Sequence, residues 1–255
     1  MKLAEERHPH SAWKGVQLRK LGIIGGATWS STALYYEQIN KAIAKRLGGL
    51  HSARLIIESL DFADYESFQR SARWDAADAF VVEVAGRLKS AGAEGLVLAC
   101  NTMHISADVV KAATGLPLID VREVTANRIA EDGRKRIALL GSRFTMTEPY
   151  GREPYEERGL IIHELSQAWR NEVDRIIYEE LAAGRVVRDS QRKLKTLITE
   201  LEKQKVHAVV LGCTELGLAV DARANVLPVY DTTAIHARAA VDWMLADEVQ
   251  ARAAA

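Results

Sequence analysis

The same pattern of strands, glycines and polar turns occurs twice along this chain, in the same order. Each copy has an apolar run ending in glycine, an apolar run ending in cysteine, and a Leu-Pro-x-x-Asp segment. The matching positions Gly26 and Gly141, Cys100 and Cys213, and Leu116 and Leu227 are 115, 113 and 111 residues apart. This period is far too long for a solenoid repeat. Two unrelated domains would share part of the pattern, but three matches in one order favour a duplication.

Short apolar runs alternate with amphipathic segments, as in βαβ units. The run Leu21–Gly26 predicts a strand and a tight loop, and the hydroxyl-rich residues 28–32 predict a capped helix start. Runs such as 96–100 are apolar throughout, which is typical of buried parallel strands. We therefore predict an α/β fold of two pseudo-symmetric domains, each a parallel sheet flanked by helices, with an active-site cleft between them. The predicted units are an N-terminal extension (1–20), a first domain (21–118), a second domain (119–228) and a C-terminal helix (231–245) that rejoins the first domain.

Composition excludes several classes of protein. Among 255 residues, Lys+Arg and Asp+Glu are both 34, so the formal net charge of zero gives no electrostatic footprint for nucleic acid or an anionic membrane. No apolar run approaches the roughly 18–20 residues of a membrane span, and the start of the chain lacks the apolar core of a secretory signal. Two cysteines are too few for a disulfide scaffold. We expect a cytoplasmic protein with a small-molecule ligand and neither a nucleic-acid nor a membrane partner.

The two cysteines are the sharpest chemical signal in the chain. Cys100 and Cys213 each follow an apolar strand, and open parallel sheets bind ligands just beyond the carboxyl ends of their strands. A single free cysteine is more often a small buried apolar residue, but equivalent positions in two copies favour a functional pair. Domains facing each other would bring both thiols into one cleft. Two opposed acid–base groups of the same type are what inversion of a stereocentre requires.

Three segments, Leu21–Gly26, Cys100–His104 and Leu211–Leu216, together resemble the aspartate/glutamate racemase family, and the likeness extends in order from Leu21 to Leu245. The resemblance implies a cofactor-independent, homodimeric enzyme with Cys100 and Cys213 as its acid/base pair. It also implies a substrate-binding set: Asn101, Thr102 and Thr214 near the α-carboxylate, Ser142 and Thr145 from the second domain, and Gln69 toward the substrate side chain.

The chain departs from this family in ways that leave the substrate open. Many relatives have Gly-Gly-Met-Ser-Trp in the first loop, where this chain has Ala27 in place of Met. Arg70 and Arg170 are candidates for holding a side-chain carboxylate, although exposed arginines are more often surface ion-pair partners. Glu215 is interpreted as favouring the start of the following helix, and His104 as either polarising the site or purely structural. No Cys/His cluster has zinc spacing, so we expect no metal.

The favoured function is a pyridoxal-independent amino-acid racemase, acting on aspartate, glutamate or a broader set. Two alternatives stay open from the sequence. One is a sister chemistry on the same scaffold, such as hydantoin racemisation, maleate isomerisation or malonate decarboxylation. The other is an amino-acid-binding module in which the thiols only pack.

Overall fold

A computed structural model describes residues 18–246 of the chain. The predicted extension over 1–20 therefore lies outside the described residues, apart from its last three. Seven strands form two parallel sheets, and the helices pack on both. The strands are β1 (Leu21–Gly25), β2 (Leu55–Ser59), β3 (Gly95–Leu98), β4 (Arg136–Gly141), β5 (Ile161–Ile162), β6 (Ala208–Gly212) and β7 (Val229–Asp231).

The two sheets repeat one topology. The first has the order β2-β1-β3 and the second β5-β4-β6-β7, with every pairing parallel. In the first sheet, an isolated parallel bridge pairs Leu96 with Leu118 at the position that β7 occupies in the second sheet. The backbone N–H of Leu96 donates to the carbonyl of Pro117, and that of Val209 donates to Pro228 at the equivalent place. The predicted α/β class with two parallel sheets is confirmed.

The helices follow the strands in the order that the sequence pattern predicts. Thr28 caps the first helix by accepting a hydrogen bond from the N–H of Ser31, as the hydroxyl-rich segment suggested. The helices are α1 (Trp29–Leu47), α2 (Phe62–Arg70), α3 (Trp74–Ser90), α4 (Ala107–Thr114), α5 (Val121–Glu131), α6 (Arg143–Thr147), α7 (Pro149–Glu156), α8 (Gln167–Arg175), α9 (Arg188–Lys203), α10 (Leu216–Ala219) and α11 (Thr232–Met244). A 3₁₀ turn, Thr102–Ser106, precedes α4, and a π-helical turn, Ile176–Leu181, continues α8.

The last helix packs on the first sheet, although its start also contacts the second. Apolar residues of α11, including Val241 and Met244, share a core with β1 and with Ile39 of α1. Leu18 is buried in the same core, although the sequence placed it in the extension. The chain therefore enters the second half from the first and returns to the first after β7, so two connections join the halves. The predicted domain bounds at 118, 119 and 228 stay predictions.

None of the helices formed by residues 18–246 combines the length and the apolar character that a bilayer span requires.

Candidate active site

Both cysteines line one small cavity between the carboxyl ends of the two sheets. Cys100 lies two residues after β3, and Cys213 follows β6 directly. The cavity holds about 40 Å³, which is room for about three water molecules. The structure therefore brings the two thiols to a shared space from equivalent positions of the repeat, with the cleft closed around them.

Hydrogen-bond donors surround the Cys100 sulfur. They come from the start of the 3₁₀ turn: the backbone N–H groups of Thr102 and Met103, and the Thr102 hydroxyl. Removal from water raises the pKa of the Cys100 thiol to about 11, while these donors oppose the rise by favouring the thiolate. This sulfur thus occupies a half-buried site that is built to accept a negative charge.

The Cys213 sulfur has an acceptor beside it instead. Its thiol donates a hydrogen bond to Oε2 of Glu215 over 3.0 Å. Burial raises the pKa of Cys213 well above its ordinary value, and the carboxylate of Glu215 raises it further. The Glu215 side chain makes no capping hydrogen bond to α10, which it precedes, and turns to the thiol.

The Glu215 carboxylate is buried and accepts two further hydrogen bonds. The hydroxyl of Thr214 donates to Oε2 over 2.7 Å, and the hydroxyl of Thr28 donates to Oε1 over 2.5 Å. Thr28 belongs to the loop after β1, so this contact joins the two halves of the molecule across the cavity. The three donors satisfy a carboxylate that has no basic partner among residues 18–246.

The predicted hydroxyl and amide residues cluster near the same cavity. Asn101, Thr102, Ser142 and Thr214 line it, whereas Thr145 stands one hydrogen bond behind. The Ser142 hydroxyl lies 3.1 Å from that of Thr102 and 3.2 Å from that of Thr145. The Asn101 amide donates to the hydroxyl of Thr232 over 3.2 Å. Three of these hydroxyls are thus hydrogen-bonded to one another, and all five side chains are buried at the cavity or one contact behind it.

Gln69 lines the cavity from α2 and presents an unused acceptor. Its side chain is only 3% exposed, and its Oε1 atom has no hydrogen-bond partner among the described residues. A buried carbonyl without a partner costs free energy. The Gln69 amide is therefore available to a ligand in the cavity.

A much larger outer cleft adjoins the cysteine cavity. It holds about 980 Å³, and Phe62, Gln69, Tyr178 and Ala182 line both spaces and so stand between them. Sequence reasoning missed Tyr178 and Ile177, which reach the cavity from the π-helical turn. No sequence signal marks them, because apolar and aromatic residues at helical spacing are also what a core contains.

Both candidate arginines lie in the outer cleft, not in the cysteine cavity. Arg70 pairs with Glu66 over 2.6 Å, and Arg170 pairs with Glu164 over 3.4 Å. Each guanidinium is thus engaged by an acidic residue close in sequence. Neither reaches the cysteine cavity in the closed arrangement.

His104 has a structural role behind Cys100. Its Nε2 accepts a hydrogen bond from the N–H of Val121 over 3.3 Å, so Nδ1 carries the hydrogen and donates to the Cys100 carbonyl over 2.9 Å. Burial lowers the pKa of His104 to about 4, which keeps the ring neutral at physiological pH. The ring fixes the backbone of Cys100 without lining the cavity.

Residues 18–246 contain no group of three or more His, Cys, Asp or Glu side chains arranged to hold a metal ion.

Comparison with known proteins converges on one family. The family model described as Asp/Glu/hydantoin racemase matches residues 24–240. A crystal structure assigned to an Asp/Glu racemase from Yersinia pestis is 42% identical with a TM-score of 0.84, covering 89% of this chain and 100% of that one. An aspartate racemase homologue from Pyrococcus horikoshii is 31% identical with a TM-score of 0.77, covering 89% and 99%. The broad specificity amino-acid racemase RacX of Bacillus subtilis (strain 168) is 22% identical over 89% of this chain and 98% of its own length.

Proposed function

The chain belongs to the Asp/Glu/hydantoin racemase family, and we propose that it is an amino-acid racemase in which Cys100 and Cys213 exchange the α-proton on opposite faces of the substrate. One thiolate removes the proton from the stereocentre, and the opposing thiol delivers its own proton to the other face. The observation that carries the proposal is that both thiols border one cavity from equivalent positions of the repeat. No cofactor is part of the proposal.

The difficult step is formation of the carbanion-like intermediate, because an α-proton beside a carboxylate is very weakly acidic. The hydroxyls of Thr102, Ser142 and Thr214 and the amide of Asn101 lie beside the cavity, where they can hold the substrate carboxylate. Fixed donors in a site with little water stabilise charge as it develops and need no reorganisation during the reaction. This is the contribution that we assign to the buried polar set.

The substrate itself helps to form the attacking thiolate. In the closed, empty cavity both thiols have raised pKa values because they are removed from water. The α-ammonium group of an amino acid brings a positive charge next to the sulfurs, and an opposite charge favours the ionised form. Binding thus converts a neutral, unreactive thiol into a base only when a substrate is present.

Aspartate and glutamate, within a broad range of amino acids, are the proposed substrates. The relatives named above include a broad specificity amino-acid racemase and an aspartate racemase homologue. At the side-chain end Gln69 offers an uncharged amide rather than a guanidinium, which suits more than one side chain. The empty cavity of about 40 Å³ is too small for such a ligand, so the cleft must open for entry.

Single enantiomers of the amino acids, followed by polarimetry, test the proposal directly. Loss of optical rotation without added cofactor is the expected result for at least one acidic amino acid. Cys100→Ser and Cys213→Ser should each abolish inversion in both directions. A Cys213→Ala protein that still racemises fully would contradict the two-thiol mechanism.

Alkylation separates an enzyme from a passive amino-acid-binding protein. Substrate should change the reactivity of both cysteines toward iodoacetamide, because the bound ligand fills the space between the two sulfurs and alters their ionisation. Thiols whose alkylation rates do not respond to any amino acid would favour the binding module. The homodimer that the family resemblance implies belongs to the same proposal, and sedimentation velocity tests it.

A further inference from the structure

The two thiols have opposite surroundings, and Glu215 is the cause. We propose that Glu215 is a positioning residue that keeps Cys213 protonated in the resting enzyme, so that Cys100 is the thiol that ionises first and acts as the base. This inference rests on the proposed racemase function, in which one thiol must be charged and the other neutral. It adds which of the two thiols ionises when the substrate arrives.

The geometry distinguishes the two sulfurs by the kind of partner each has. Around Cys100 the hydrogen-bond partners are donors, namely two backbone N–H groups and a hydroxyl, which favour a thiolate, while the charge of Glu215 acts against it. Beside Cys213 the nearest side-chain partner is the Glu215 carboxylate, an acceptor 3.0 Å away that requires the hydrogen to stay on the sulfur. The titratable groups that face Cys213 are Glu215, Cys100 and Tyr178, and none of them is cationic.

Glu215 is built into the site in the manner of a permanent charge. Its side chain is 5% exposed, and the hydroxyls of Thr28 and Thr214 donate to its two oxygens. A carboxyl group that accepts a hydrogen bond from every partner fits the ionised form, which has no hydrogen to donate. Burying such a charge without a basic partner costs free energy. Its hydrogen bond with the thiol supplies a reason for the charge to be there, because the carboxylate holds the hydrogen on the Cys213 sulfur.

The proton balance during turnover follows from this arrangement. The Cys100 thiolate takes the α-proton, and Cys213 gives its proton to the opposite face of the carbon. The product complex then holds a Cys100 thiol and a Cys213 thiolate next to the Glu215 carboxylate. Like charges repel, so after product release Cys213 regains a proton from water, and Cys100 loses one to water when the next substrate binds. Over one full cycle the number of protons bound does not change.

A kinetic consequence separates this role from a purely structural one. Two enantiomers have equal free energy in water, so kcat/KM must be the same in both directions. Each enantiomer binds to one form of the free enzyme, ionised either at Cys100 or at Cys213. The enantiomer that needs the rarer form binds more weakly, in proportion to the population of that form. Unequal populations therefore appear as unequal KM values, with kcat values that compensate. Wild-type enzyme should show unequal KM values, and Glu215→Gln should bring them together.

The direct test uses the fact that the chain has only two cysteines. In a Cys100→Ser background, iodoacetamide reports the ionisation of Cys213 alone, through the pH dependence of its alkylation rate. Adding Glu215→Gln keeps the shape of the side chain and removes its charge. The pH at which the alkylation rate reaches its plateau should then be about one unit lower, because a negative charge no longer opposes ionisation of the neighbouring thiol. No racemase activity is needed for this readout.

Thr28→Val is the matched control in the same background. It removes the hydrogen bond between the two halves of the molecule but leaves the carboxylate next to Cys213. If the only role of Glu215 is to hold the two halves together through Thr28, both substitutions should have the same effect on the alkylation profile of Cys213. Under our proposal Thr28→Val does not move the Cys213 profile downward in this background. In the enzyme that keeps both cysteines, Thr28→Val lowers racemisation while the two KM values stay unequal.

The outcomes separate this inference from the proposed function. Identical alkylation profiles with and without Glu215→Gln would overturn the role of Glu215, whether or not the protein racemises. A shifted profile in a protein that racemises no amino acid supports the role and counts against the proposed function alone. Should Glu215→Gln fail to fold, Glu215→Asp draws the carboxylate back from the sulfur and should lower the plateau by a smaller step. An unmoved plateau in that variant would also overturn the role.

Discussion

At the scale of single residues, the site is defined by side chains whose ordinary chemistry is altered by exclusion of water. The Cys100 thiol has its pKa raised to about 11 by burial, although donors surround its sulfur. A thiol in this state is poorly reactive until a cation enters the cavity.

This raised pKa predicts an alkaline rise in activity. Because kcat/KM reports groups of the free enzyme, and because the base must be a thiolate, kcat/KM should increase continuously from pH 7 to pH 9, where the substrate still carries its ammonium group. The rise extends beyond the ordinary cysteine pKa of about 8.5 because the folded-state pKa of Cys100 is higher. Initial rates at low substrate concentration across this range provide the measurement. A plateau already reached at pH 8 would contradict it.

The free carbonyl of Gln69 predicts a separation of stability from function. Gln69→Met replaces an unpartnered buried amide by an apolar side chain of similar shape, so the free energy of unfolding should stay level or rise by about 1 kcal/mol. KM should increase several-fold, because the ligand loses a hydrogen-bond partner. Urea unfolding and steady-state kinetics measure the two effects.

Gln204→Met, at the exposed C-terminal end of α9, is the control for this substitution. It should change neither quantity appreciably. Gln69→Met with an unaltered KM would mean that the amide does not face the substrate.

At the scale of secondary-structure elements, the loop after β1 depends on glycine. Gly26 has a φ of +91°, and a Cβ atom there would lie 2.1 Å from the carbonyl oxygen of Leu60. The N–H of Gly26 also donates a hydrogen bond to the Thr32 hydroxyl over 2.7 Å. This loop carries Ala27 and Thr28 into the cavity, so its path sets the position of the contact to Glu215.

We expect Gly26→Ala to lower the free energy of unfolding by about 3 kcal/mol or more, because backbone strain and a steric clash with a neighbouring backbone act together. Gly159→Ala is the matched comparison: its φ is +73°, but a Cβ there would meet nothing within 4 Å. Strain alone should cost it about 1 kcal/mol. Chemical denaturation of both variants gives the difference, and equal losses would show that the clash relaxes.

The elements also show what the sequence could predict and what it could not. Periodicity and the repeat predicted the strands, the parallel sheets and the position of each cysteine beyond a strand, because these depend on local pattern. The orientation of Glu215 depends on Thr28, which is 187 residues away in sequence. The lining by Tyr178 depends on how a π-helical turn packs over the opposite sheet. Contacts between the two halves join residues that are distant in sequence, so the local pattern of apolar and polar residues does not reveal them.

At the scale of the whole molecule, the point where the chain passes from the first sheet to the second is held by two buried histidines. His104 accepts from the N–H of Val121, and Nε2 of His236 donates to the carbonyl of Ile119 over 2.6 Å. The Tyr35 hydroxyl lies 2.8 Å from Nδ1 of His236, which joins α1 and α11 to this crossing. Both rings must be neutral to make these bonds, because in each of them one nitrogen is an acceptor.

This requirement makes the fold sensitive to acid. Burial lowers the pKa of His104 to about 4 and that of His236 to about 3, whereas both would titrate near 6.5 in the unfolded chain. The unfolded state therefore binds more protons below pH 6.5. The stability is complete above that pH and falls as the pH drops toward 4, with a loss of about 2 kcal/mol for each histidine, or about 4 kcal/mol together, by pH 5.

Urea unfolding at pH 7 and pH 5 measures this loss. His236→Gln can still donate to the Ile119 carbonyl and accept from Tyr35 but cannot be protonated. We expect that variant to be less stable than wild type at pH 7 and to lose less on going to pH 5, whereas His207→Gln, at an exposed histidine, should keep the wild-type loss. If His236→Gln lost as much stability as wild type between the two pH values, the acid sensitivity would have to arise elsewhere than at the crossing.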